Sequence, residues 1–142
     1  MTVKSPRLAA VALFILAGCA QQELAVHDAW IRAAPDGSAM GAAYLTLKNN
    51  GSDTEVVGVR STAHSLASLH TSEIVEGVFR MRELDSIPVK ANSVVRFEPG
   101  ALHIMLMRPI APLRAGDTVE LTLTFSDGRE ISFDTLVRTE RQ

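Results

Sequence analysis

Residues 70–107 read HTSEIVEGVFRMRELDSIPVKANSVVRFEPGALHIMLM, and this stretch decides the fold. Its last six residues alternate, with Leu102, Ile104 and Leu106 set against His103, Met105 and Met107. Successive side chains of a β-strand leave it on opposite faces. The pattern therefore predicts a strand that packs its aliphatic set into a core and lines up its His and Met set on the other face. Imidazole nitrogen and thioether sulfur side by side suit a soft cation, Cu(I) above all.

The segments just upstream supply further donors of the same kind. Leu66 to Val75 and Val78 to Leu84 both read as extended, with Glu76-Gly77 as a two-residue hairpin turn between them. If Val75 pairs with Val78, Ser72 lies opposite Met81 and His70 opposite Glu83. His70 and Met81 are then diagonal neighbours on one face, roughly 7–8 Å apart at the backbone, close enough for two long side chains to converge on one ion.

The order of these residues is His70, ten residues, Met81, twenty-one residues, His103, one residue, Met105. That spacing resembles the motif of the PCu(A)C family of periplasmic copper chaperones. DAWIRAAP at 28–35, GAAYLTLKN at 41–49 and PGALHIMLM at 99–107 resemble the family as well, so the similarity covers essentially the whole chain after its leader. One departure is Ser72, where many members carry a further Met two residues after the first His. The resemblance implies an all-β, cupredoxin-like Greek-key β-sandwich. It also implies His70, Met81, His103 and Met105 as copper ligands; Met107 lies outside the motif and is a candidate auxiliary from its place on the same strand face. The cargo would be Cu(I), with Cu(II) as the alternative state. Delivery would be outside the cytoplasm, to cytochrome c oxidase subunit II with its binuclear copper centre or to another copper chaperone.

Outside this stretch the chain is that of one ordinary domain. It has 142 residues, 46% of them hydrophobic and 21% charged, with a net charge of −2. That charge leaves no basic footprint for nucleic acid. Residues 1–18 read as a signal peptide: Lys4 and Arg7 precede an apolar run from Leu8 to Gly18, a length that suits a secretory segment and is too short to span a bilayer. Leu16-Ala17-Gly18-Cys19 resembles a bacterial lipobox, so Cys19 is the expected lipidation site, followed by a short tether through residue 23. An ordinary signal peptide cut near Ala20 is the alternative. Either reading takes the protein out of the cytoplasm. The lipidated one holds it on the periplasmic side of a bacterial membrane, because several acyl chains anchor stably where one binds only marginally.

Cys19 is the sole cysteine. The mature domain has no thiolate for a blue-copper site, a zinc ribbon or an iron–sulfur cluster, and none for thiol redox chemistry. No nucleophile–base pairing suggests an enzyme.

The copper-binding domain is expected over residues 24–138, with a polar tail at 139–142. Leu24 to Arg32 reads as a first strand, with Val26, Asp28 and Trp30 sharing a face and Trp30 as a core or rim aromatic. Pro35-Asp36-Gly37 marks a turn. Met40 to Asn49 and Thr54 to Ser61 follow as strands, and His64 falls in a polar connection. Pro88 and Lys90-Ala91-Asn92 interrupt the pattern, Ser93 to Phe97 resumes it, and Pro109 and Pro112 end the His103 strand. Thr118 to Phe125 and Glu130 to Val137 complete eight or nine strands with no helix, the signature of a β-sandwich or barrel. A Met in a strand is usually core filler, and Met40 belongs with that reading. Glu73, Glu76, Glu83 and Asp85 read as a solvated rim, and Arg80 and Arg82 as a solvated face.

A non-metal interaction lipoprotein and a copper-resistance buffer are the competing functions. Metal stoichiometry separates the first, and transfer to an acceptor the second.

Overall fold

The computed structural model describes residues 23–33 and 38–139. The expected leader, Cys19, the tether up to residue 22, the Pro35-Asp36-Gly37 turn and the tail from residue 140 lie outside the described residues.

Ten strands make up the described chain: β1 (Leu24–Arg32), β2 (Met40–Asn49), β3 (Thr54–Ser61), β4 (His64–Val75), β5 (Val78–Leu84), β6 (Ile87–Val89), β7 (Ser93–Phe97), β8 (Leu102–Pro109), β9 (Thr118–Phe125) and β10 (Glu130–Arg138). They hydrogen-bond in the order β5-β4-β8-β2-β1-β10-β9-β3-β6. Strand β2 serves two partners: its first half pairs with β8 and its second half with β7. β6 lies against β7 and β3 against β4, so the sheet folds back on itself around one core.

Strict alternation builds that core. Val119, Leu121, Leu123 and Phe125 of β9 point inward, as do Ala43, Leu45 and Leu47 of β2 and Ile104 and Leu106 of β8. Full burial of one such aliphatic side chain stabilises by about 1.5–3 kcal/mol. Because the period is two, these residues fix which face of β8 is left for His103, Met105 and Met107.

Three local expectations fail for identifiable reasons. On β1 the face of Val26, Asp28 and Trp30 is broken by a bulge between His27 and Trp30, with Asp28 at φ +52°. The extra residue flips the alternation. Asp28 is thereby kept out of the core, Ala29 and Ile31 are turned towards it, and Trp30 lands on the opposite face against Tyr44. His64 is no connecting residue: it opens β4 and is 93% buried, at 7% exposure. Ser61 Oγ, 3.0 Å from its Nδ1, stands in for the water it loses. Finally, Pro88 does not interrupt the sheet. Ile87–Val89 is a three-residue strand at the sheet edge, where a missing N–H costs no ladder bond, and Ile87 and Val89 are buried on either side of Pro88.

The β4–β5 hairpin closes through Glu76 at φ +53° and Gly77 at φ +79°. Two successive positive φ angles define the type I′ turn that matches strand twist, and glycine takes the second place without strain.

Candidate metal centre

The hairpin turn sets the register, and the register sets the site. Val75 pairs with Val78, Ser72 with Met81 and His70 with Glu83, as the two-residue turn requires. On the other side of β4, His70 stands directly opposite His103, Ser68 opposite Met105 and Leu66 opposite Met107. β8 in turn pairs with β2, with Met105 opposite Ala42 and Met107 opposite Met40. One sheet face therefore carries Met81 from β5, His70 from β4, His103, Met105 and Met107 from β8, and Met40 from β2.

The two imidazole rings lie 5.8 Å apart between centroids, tilted by 34°. His103 is buried, and its Nδ1 donates to the Ala101 carbonyl at 3.0 Å. That same carbonyl accepts the Ser72 N–H at 3.0 Å, so it is held in place from two sides. With the proton fixed on Nδ1, the His103 Nε2 keeps its lone pair. His70 is half-buried, its Nε2 lies 2.9 Å from Ser68 Oγ, and its Nδ1 is buried without a hydrogen-bond partner. A buried polar atom without a partner is costly. With the proton on Nε2, Nδ1 is a bare acceptor of the kind a soft cation satisfies. Burial pushes the His70 imidazole below its ordinary titration range; Glu83 opposes this and His103 reinforces it. A depressed pKa keeps the ring neutral, which is the metal-binding form.

The sulfurs surround an open cleft of about 450 Å³, lined by Met40, Met81, Met105 and His103 together with Arg32, Tyr44, Ser72 and Phe79 among others. Met81 is 54% exposed and Met40 55% exposed, whereas Met105 is half-buried. The donors thus run from a buried imidazole outward to solvent-facing thioethers. Tyr44 follows Ala43, the last β2 residue paired to β8, and lines the cleft beside His103. Its ring centroid lies 4.7 Å from that of Trp30, tilted by 40°, and 5.3 Å from the Arg32 guanidinium carbon. Among the described residues no three His, Cys, Asp or Glu side chains gather at one point. The donor set on this face is imidazole and thioether, which suits Cu(I) better than zinc or the harder cations.

The structure brings His70, Met81, His103 and Met105 to one face; the turn register predicts this for His70 with Met81 and the alternation for His103 with Met105, and the β4–β8 pairing joins the two sets. Met107 shares the face, but it is not among the residues that line the cleft. Arg80 and Arg82 sit opposite Glu73 and Thr71 on the hairpin's reverse face. His27 is exposed and remote on β1. Sequence reasoning missed Met40, because its place beside the site depends on β2 pairing with β8. It also missed Ser68, whose position two residues before His70 on an extended strand was a usable signal.

An all-β sandwich with a His and Met face defines a cupredoxin-like domain, and solved structures share its fold. The copper-bound PCuAC domain from PmoF2 superposes with a TM-score of 0.70 at 22% identity, covering 84% of this chain and 95% of that one. The Cu(I) form of DR1885 from Deinococcus radiodurans gives 0.70 at 25% identity, covering 89% of this chain and 85% of that one. The chain belongs to the LpqE-like lipoprotein family, whose model matches residues 24–137, and it shares the fold of the PCuAC domains. Lxx21020 of Leifsonia xyli subsp. xyli, whose name classes it as a lipoprotein, is 45% identical over 105 residues. That match takes in 72% of this chain and 62% of the Leifsonia protein, so the chain spans under two thirds of that relative's length. RP573 of Rickettsia prowazekii is 30% identical over 142 residues, covering 91% of this chain and 78% of that protein.

Proposed function

We propose that this protein is an extracytoplasmic Cu(I) carrier. It would hold one ion through His70, Met81, His103 and Met105 and pass it to an acceptor. The observation that carries the reading is His103, its Nε2 left free by the Nδ1 bond to Ala101, in a cleft edged by Met81 and Met105, with His70 directly opposite it and the buried His70 Nδ1 without a hydrogen-bond partner. The Cu(I) form of the related DR1885 supports the same choice of cargo.

The residues act by graded exposure. His103 is pre-oriented by the Ala101 carbonyl, so its orientation costs little entropy on binding. All four donors are neutral and leave the charge of the bound ion intact. Met81, the most exposed of the four, is the natural first ligand to yield to an incoming donor. Exchange is then associative, one ligand at a time, and needs no catalytic base. Cu(II) binding would call for added oxygen or nitrogen donors.

The acceptor we favour is the binuclear copper centre of cytochrome c oxidase subunit II, or another copper chaperone that serves it. Lipidation at Cys19 would hold the carrier at the periplasmic face of the membrane, a placement that the lipoprotein family supports.

Titration of the purified protein with Cu(I) against a competing chelator tests the reading. One tight ion per chain, weakened by Met81→Leu and by Met105→Leu, is expected. No tight binding would hand the lead to an interaction lipoprotein. Tight binding with no transfer to any acceptor would favour a copper-resistance buffer.

A further inference from the structure

We propose that Met40 is a fifth copper donor on this face, an exchange ligand that replaces His70 as Cu(I) moves into the open cleft. The proposal rests on the copper reading above and deepens it.

The cleft itself makes the case. Its donor lining is Met40, Met81, Met105 and His103, whereas His70 is absent from the lining and is engaged by Ser68 Oγ at 2.9 Å. The expected resting set and the cleft set therefore share His103, Met81 and Met105 and differ only in His70 against Met40. The register supports the exchange. Met40 stands opposite Met107, so Met105 is its diagonal neighbour on the same face. This is the relation that joins His70 to Met81, through Glu83, on the other flank of the site. Diagonal pairs lie roughly 7–8 Å apart at the backbone, within reach of two long side chains on a common ion. Ala42, opposite Met105 on the β2 side, is small and leaves that reach open.

Packing does not explain Met40. At 55% exposure it contributes little to the core, yet it is the only sulfur that β2 places on this face among the described residues. The chemistry balances without a proton or an electron. One copper–nitrogen bond to His70 breaks, one copper–sulfur bond to Met40 forms, and a neutral donor replaces a neutral donor. The ion then sits among three thioethers and one imidazole at the solvent-facing side, where an incoming acceptor ligand meets it.

X-ray absorption at the copper edge, on Cu(I)-loaded protein, counts sulfur neighbours directly. In His70→Ala the expected result is one retained Cu(I) with three sulfurs and one nitrogen. Adding Met40→Leu should cut the count to two sulfurs and weaken binding about tenfold or more. Two sulfurs in His70→Ala, or loss of its copper while wild type keeps its own, overturns the role of Met40 alone. Failure of wild type to bind Cu(I) overturns the carrier reading as well. A measurement on unmutated protein guards against a variant that does not fold: methyl-13C methionine spectra during Cu(I) addition. A shifted or broadened Met40 methyl is expected, and an unmoved one overturns the proposal.

Discussion

Asn49→Ala should cost about 3 kcal/mol of stability, although the residue is polar and lies beyond the site. Asn49 ends β2 and is fully buried. Its Nδ2 faces the carbonyls of Ser52 at 2.8 Å, Lys90 at 3.0 Å and Val89 at 3.3 Å. Its Oδ1 accepts the Gly51 N–H at 2.8 Å. An amide has two N–H donors, so the three carbonyls share them, and three good bonds in total is a fair count. At about 1 kcal/mol net for each bond, the loss is about 3 kcal/mol. With an m-value of about 2 kcal/mol/M, the urea midpoint falls by roughly 1.5 M. Asn49→Asp sharpens the test. The carboxylate keeps the bond from Gly51 but turns its second oxygen on carbonyls that can only accept. At pH 7 it should be no more stable than the Ala variant. Burial among acceptors raises its folded pKa above the unfolded carboxylate value near ~3.9. A group raised in this way stabilises fully below its unfolded pKa and less as pH rises, so the Asp variant should gain on acidification relative to Ala. A loss below about 1 kcal/mol for Ala, or an Asp variant at pH 7 as stable as wild type, would refute the reasoning.

Met81→Leu and Met105→Leu should each weaken Cu(I) binding by more than about tenfold, since even indirect partners of a metal site cost that much. Met81→Leu should leave the urea midpoint unchanged, because the side chain is 54% exposed; competition against a chelator and a denaturation curve check the pair. Burial pushes His64 below the usual imidazole range. Its stabilising term is therefore full above the unfolded value near ~6.5 and is lost as pH falls through that value towards the lowered folded one. Urea midpoints from pH 8 to 5 should fall less steeply in His64→Gln, and parallel slopes would count against the assignment. Gly77→Ala should cost about 1 kcal/mol, because φ +79° is strained for any side chain; replacement by D-Ala through chemical synthesis should restore it.

Much of the site was legible because a two-residue turn admits one register. Glu76-Gly77 alone placed Ser72 opposite Met81, and the period of two then sorted every β4 and β5 side chain to a face. The core strands were legible from the same period, as in Val119, Leu121, Leu123 and Phe125. What stayed hidden depended on a local break or a distant partner. The bulge at Asp28 is one extra residue with no turn signal, and it exchanges the roles of Trp30 and Ile31. Ile87–Val89 is short and holds a proline, so only its place at the edge makes it a strand. Met40 looked like filler because nothing near it in sequence reveals that β2 will lie beside β8. Its neighbours across the ladder come from more than sixty residues away.

That distance has a consequence for timing. His70 meets His103, and Met40 meets Met107, only once long-range strand pairs have closed. Contacts of this kind form late and slowly in folding, because the chain loses loop entropy before it gains them. An unfolded chain thus carries the proposed donors scattered, without the folded site. If the chain crosses a membrane in that state, as the proposed lipoprotein route requires, it crosses before the site exists. Loading of the folded site would then follow on the far side, so the order of assembly would also decide which compartment supplies the metal.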